Sequence, residues 1–457
     1  MKTLDKRISL KWLITLIAPI CILLVPTSAS FTSDMRLFFV LTLLVILIMA
    51  FELTPLIVPS LAFPLVYLIS GLAPANVVFA PWLNAAPWMT ISGLILASII
   101  SGTGLLKRGA FWCIVKSGCS YNGILYALMF AGILFNLFIP GQALVPMAVL
   151  TFSICQALDL GKSTESAGIM LAGFFGATIP MFFFYSSHFV MFQSVGMAVA
   201  DVSISWIDYF FQNIMLVPWA FIVIFMVTKV LKPKKDIKAA AGYFKEEYEG
   251  LGAWKPEEKR AAVLCIVLIL LLVTNNIHKI QAAWIFMLLV CVSFLPGINI
   301  GTKESLEKVN YPFIFLITGC MAIGEVSNLL GIGKWISDML MPVISHSNTA
   351  VILVVAWFLA FAMNFILSPI AIAATFTAPL TQIALDLSIN PLVFYYSMIQ
   401  GAAQVILPYE WPFVMVFFSF GLIPMKDFVK LFSIKTVVNF IYFLVVLIPF
   451  WRLIHLI

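Results

Sequence analysis

Apolar runs long enough to enter a bilayer follow one another along almost the whole chain. They lie near residues 10–27, 35–52, 55–72, 86–105, 123–158, 165–199, 206–231, 261–275, 279–297, 311–330, 348–387, 392–421 and 430–454. A crossing needs about 20 such residues, and a backbone facing lipid must satisfy its hydrogen bonds within its own segment, so these runs are read as helices. With 63% hydrophobic and only 10% charged residues, the sequence carries more apolar surface than a soluble globule can bury. The predicted fold is an all-α polytopic membrane protein, its 457 residues holding about eleven transmembrane helices plus two re-entrant hairpins.

Several runs are broken from within. The stretch from Met363 to Val416 is interrupted at Ser368-Pro369 and again between Pro408 and Pro412, where it also carries Glu410. The run 123–158 is split by Ile139-Pro140-Gly141-Gln142, and 165–199 is broken between Pro180 and His188. Proline cannot continue a helix, and Pro-Gly is a turn signal, so each is a break in the span.

The breaks recur in the same order. The first split run, with Asn136 23 residues before Asp159, precedes Ser186-Ser187-His188-Phe189-Val190-Met191; the second, with Asn364 22 residues before Asp386, precedes Glu410-Trp411-Pro412-Phe413-Val414-Met415. Trp206-Ile207-Asp208 is then echoed by Met425-Lys426-Asp427. Five spans and one split run separate the copies, and a split run returns to the side it came from, so the second copy has inverted polarity. The expected organisation is an N-terminal helix (1–34), repeat 1 (35–231, hairpin 123–158, broken helix 165–199), a cytoplasmic linker (232–260) and repeat 2 (261–457, hairpin 348–387, broken helix 392–421). Inverted repeats with interrupted helices in corresponding places point to a secondary transporter whose site lies near the midplane.

Positive charge supports this map. Lys2, Lys6, Arg7 and Lys11 precede the run from Trp12 to Val25, which reads as a retained helix or, from its basic start and the small residues after it, as a signal peptide. With a cytoplasmic N-terminus, every Lys and Arg falls inside except Arg36, Lys279, Lys334 and Arg452, in line with the positive-inside rule. The C-terminus is then outside, and the expected location is the inner (cytoplasmic) membrane. The formal charge of +6 is therefore a topology signal, and no nucleic-acid partner is expected. The seven cysteines are scattered through apolar segments without a C-x-x-C pair and read as small core residues. No metal-spaced His/Cys/Asp cluster, G-x-S-x-G or phosphate-binding loop is present, which argues against an enzyme or a cofactor; a linker of about thirty residues is little for the output domain of a sensor.

Four pieces, in order, carry a resemblance. Phe51-Glu52-Leu53-Thr54-Pro55 with Pro64, then Leu94-Ile95-Leu96-Ala97 followed by Thr103-Gly104-Leu105-Leu106-Lys107-Arg108, then Asn390-Pro391-Leu392, then Met425-Lys426-Asp427-Phe428-Val429-Lys430 resemble the divalent anion/sodium symporters, solute carrier family 13. The resemblance covers nearly the whole chain. It implies a homodimer in the lipid bilayer, with a scaffold formed by the first spans of each half. The hairpins and broken helices would form a transport domain that moves as an elevator.

The resemblance also implies a site. The family's hairpin tips carry Ser-Asn-Thr, which contacts substrate and sodium; here the matching positions are Pro140-Gly141-Gln142 and Ser368-Pro369-Ile370. Substrate would be met by these tips together with Ser187, His188, Trp411 and Pro412. Asn136 and Asn364 stand where the family has a hydroxyl that binds sodium, so Na+ at these two amides is expected, with Ser186 beside them. Glu410 stands where the family has a small residue whose backbone oxygen faces sodium.

A charged carboxyl at membrane depth is costly unless a cation accompanies it, so at Glu410 a proton can replace sodium. His188 is a second candidate for proton handling or substrate contact. Anion binding would rest on neutral donors and on the half-helix N-termini near Ala143 and Ala371. The expected activity is symport of a small anion, a carboxylate, with protons or sodium; the alternative within this fold is a cation/proton antiporter. Glu52 and Glu325 are read as structural.

Overall fold

The computed structural model describes all residues except 1, 52, 56, 119, 234–240, 308, 310, 345–346 and 366–368. Among the described residues the secondary structure is helical, without a strand. The all-α polytopic fold expected from the apolar runs is what the chain adopts. Tyr121–Phe138, Thr164–Gly196 and Met425–Leu453 are each long and apolar enough to cross a bilayer, and two further pairs do so jointly around bends of 65° and 54°. Glu52 and Cys119 lie outside the described residues.

Two units, alike in build, hold the centre of the molecule. In the first, the outgoing arm Tyr121–Phe138 and return arm Leu144–Ala157 form a hairpin, followed by the half-helices Thr164–Thr178 and Ser187–Gly196. In the second, the arms are Thr349–Met363 and Pro369–Asp386, and the half-helices are Pro391–Ala402 and Pro412–Phe418. The 14-residue arm Leu144–Ala157 is about 21 Å long, short of the ~30 Å hydrocarbon core, as a re-entrant arm requires.

Polar caps start these helices where the sequence allows. Ser120 Oγ accepts from Gly123 N and Asn348 Oδ1 from Ala350 N at the outgoing arms. Ser163 and Asn390 do the same for the first half-helices. Such caps satisfy N–H groups that the helix itself leaves free. In both units the outgoing arm packs against the first half-helix at backbone distance through glycine. A Cβ on Gly132 would collide with Gly176 O, and one on Gly401 with Trp357 O. This is the core: Thr164–Thr178 and Pro391–Ala402 are buried along almost their whole lengths.

The linker departs from expectation. A solvated connector over 232–260 is predicted, yet Ala241–Gly250 is a helix whose Phe244 is fully buried and faces the Phe111 ring at 6.4 Å. The next helix already begins at Pro256. Arg108 explains the docking: Nη2 pairs with Glu258 Oε2 at 2.9 Å, and the same guanidinium donates to Gly252 O at 3.0 Å and Leu251 O at 3.2 Å. The ion pair is almost wholly buried, so its hydrogen bonds to the linker carbonyls offset the desolvation cost.

Candidate functional site

In the first unit the hairpin tip and the helix break meet through Asn136, which is fully buried. Its Oδ1 accepts from Gly141 N at 3.1 Å. Its Nδ2 donates to Gly132 O and Ala177 O at 3.0 Å and to Gly176 O at 3.4 Å. The amide thus fastens the tip to the last turn of Thr164–Thr178. Gly141 makes the turn in the left-handed region, at φ 77°, and a side chain there would press on Ser187 Oγ at 3.0 Å. Gln142 Nε2 donates to that same hydroxyl at 3.5 Å.

Two helix N-termini converge at this point. Neither Leu144–Ala157 nor Ser187–Gly196 has a side-chain cap, because Ala143 has no donor or acceptor to offer and Ser186 Oγ is turned to Met181 O at 2.8 Å. Free N–H groups and the positive ends of two helices therefore lie beside Gly141, Gln142 and Ser187. Pro140 is buried behind the tip. His188, one residue into the half-helix, has a buried Nδ1 without a hydrogen-bond partner.

The second unit repeats the frame with different chemistry. Asn364 Nδ2 lies 3.4 Å from Gln404 O and 3.5 Å from Glu410 Oε2, whereas its buried Oδ1 has no partner. The reason is covalent. Asn136 is satisfied by the N–H five residues on; five residues beyond Asn364 stands Pro369, which has none. Pro369 is buried; Ser368, expected at this tip, lies outside the described residues. Glu410 is buried, and its Oε1 accepts from Leu407 N at 2.8 Å and its Oε2 from Ile406 N at 3.0 Å, closing the loop between the half-helices.

Trp411 brings the two breaks together. It packs against Phe174 of the first half-helix, stacks on Phe182 at 6.4 Å, and lies 6.5 Å from the His188 ring. Pro412 opens the next half-helix, where proline costs nothing, and is exposed. Of the expected site residues, Asn136, Gly141, Gln142, Ser186 and Ser187 form one cluster and Asn364 and Glu410 another, with His188 and Trp411 between them.

Three features escape sequence reasoning. Lys435, counted among the cytoplasmic cations, is buried, with Nζ donating to Ala403 O at 3.0 Å and Gln404 Oε1 at 2.9 Å. Gln400 joins the same group, its backbone oxygen accepting from Gln404 Nε2 at 2.7 Å and its side-chain oxygen from Asn439 Nδ2 at 3.2 Å. A cavity of about 550 Å³ approaches the first break, lined by Tyr185, Gln193, Ser194 and Trp206 on one side and Asn84, Lys279 and Gln281 on the other. For Gln400 a lone polar residue in an apolar run is the available signal, since at membrane depth it needs a partner.

A family model described as the sodium:sulfate symporter transmembrane region matches residues 6–457. The chain belongs to the sodium:sulfate symporter family. The likeness of its motifs to the divalent anion/sodium symporters is thereby borne out, and as a family member it is a secondary transporter of anions in a membrane, not an enzyme. Among solved structures, the fold is similar to the crystal structure of the YdaH transporter from Alcanivorax borkumensis, described as having an unusual topology. The TM-score is 0.58 at 14% identity, over 83% of this chain and 88% of that one. None of the curated protein sequences matches this symporter-family chain.

Proposed function

We propose that this chain is an elevator-type symporter of a small carboxylate, built from two inverted repeats and working as a dimer in the inner membrane. The carrying observation is the convergence of two uncapped helix N-termini at Gly141 and Ser187, where free N–H groups and helix dipoles favour an anion without a buried basic residue. Gln142, Ser187 and His188 supply further donors. The cavity of about 550 Å³ is the access route, and its size suits a small organic anion with its water.

Coupling belongs to the second break. Glu410 and the unpartnered Asn364 Oδ1 present oxygens to a cation, and the carboxyl takes either a proton or sodium. Protons are favoured, because one carboxylate with few additional oxygens is a poor cage for a metal ion and a sufficient one for a proton. Purified protein in proteoliposomes is expected to accumulate a di- or monocarboxylate down an inward proton gradient, and Glu410→Gln is expected to abolish that accumulation. Sodium-driven uptake at fixed pH, unaffected by Glu410→Gln, would overturn the proton version.

One observation favours a second reading. Glu410 is met by neutral donors that it already engages, the Ile406 and Leu407 N–H groups and the Asn364 amide, which leaves its charge for a cation. A cation/proton antiporter of the same fold would fit that. Proton release from vesicles on adding sodium or potassium, with no carboxylate flux, is its signature.

A further inference from the structure

Lys435 has no role in the reading above. It stands on Met425–Leu453, a helix long enough to cross the membrane, and is 5% exposed. Its ammonium meets Ala403 O and Gln404 Oε1 and lies 5.4 Å from the centroid of Phe432. Among the described residues no carboxylate comes within ion-pair distance of it. An unpaired ammonium held in the core only by neutral oxygens is costly, so it calls for a reason.

The geometry supplies one. Ala403 caps the C-terminal end of the half-helix Pro391–Ala402, where carbonyls lack N–H successors and the helix dipole is negative. The next residue's backbone oxygen, Gln404 O, receives the Asn364 amide that also approaches Glu410. Carbonyls at the broken end of a half-helix are a donor set for a monovalent cation in transporters built this way. A cavity of about 10 Å³ adjoins the ammonium, lined by Thr178, Gln400 and Trp411, with room for about one water.

We propose that Lys435 is a tethered cation: its ammonium permanently fills, at the end of Pro391–Ala402, a position that a free monovalent cation takes when the side chain is removed. The inference rests on the reading of the chain as a cation-coupled transporter and sharpens it. One positive charge of the second break is covalently built in, and only the position at Glu410 and Asn364 exchanges its ion. Lys435 is then a positioning residue that fixes how many ions travel with the anion.

The test is a thermal titration of purified wild type, Lys435→Ala and Lys435→Met with sodium chloride against choline chloride at equal ionic strength. Lys435→Ala opens the space and is expected to gain a saturable rise in Tm of roughly 2–4 °C with sodium or methylammonium and none with choline. Lys435→Met refills the space with a neutral chain and gains none. Identical behaviour of the two variants in both salts would overturn the proposal, leaving Lys435 as a helix-end cap. If Lys435→Ala is recovered folded only in sodium or methylammonium, the proposal stands; recovery in none of the salts while Lys435→Met is folded overturns it. A sodium gain in Lys435→Ala with no anion flux in the wild type would remove the transport reading and leave the tethered cation in place.

Discussion

The two hairpin-and-break units share a frame and differ in what fills it. In the first, Asn136 is saturated: its oxygen takes the Gly141 N–H and its nitrogen reaches three carbonyls, so the tip is locked by neutral bonds. In the second, Asn364 makes two long contacts and leaves its oxygen bare, with Glu410 on one side and Lys435 reached through Gln404 on the other. A saturated amide holds structure, whereas an unsaturated one beside a charge is available to an ion. The proposed function follows this difference, with the anion at the first unit and the exchangeable cation at the second.

Stability should divide along the same line. Asn136→Ala strands the Gly141 N–H and the Gly176 and Ala177 carbonyls in the core, and is expected to cost on the order of 3 kcal/mol, read as a lower Tm in detergent. Gly141→Ala forces a side chain into the left-handed region against Ser187, at about 1–2 kcal/mol, and displaces the tip from the anion site, raising KM. Asn364→Ala loses only long contacts, about 1 kcal/mol, and its main effect is on ion dependence. Equal destabilisation by Asn136→Ala and Asn364→Ala would erase the contrast. The smallest effect is expected of Pro369→Gly, which returns an N–H to the second tip: ion dependence weakens by a few-fold while Tm changes little.

Much of this frame is legible in the amino-acid sequence. The splits at Pro140-Gly141 and Pro369, and the breaks at Pro180–His188 and Pro408–Pro412, follow from proline in apolar runs, and their matched order is what suggests a repeat. The contrast between Gly141 and Pro369 is also present there as two letters, but its meaning depends on which atom each Asn faces. Lys435 is out of reach of such reasoning because it sits five residues inside a span that begins with cytoplasmic cations, and its partners lie about thirty residues away along the chain. The linker misleads for a related reason: its charges look solvated, while the one ring that docks it, Phe244, and the pairing of Arg108 with Glu258 are long-range facts.

The seat of coupling is tested most directly by comparing gradient-driven accumulation with substrate exchange in proteoliposomes for Glu410→Gln and His188→Gln. Glu410→Gln should keep exchange and lose accumulation, while His188→Gln, at the break of the first unit, should alter affinity and still accumulate substrate. Accumulation intact in Glu410→Gln and lost in His188→Gln would contradict the account.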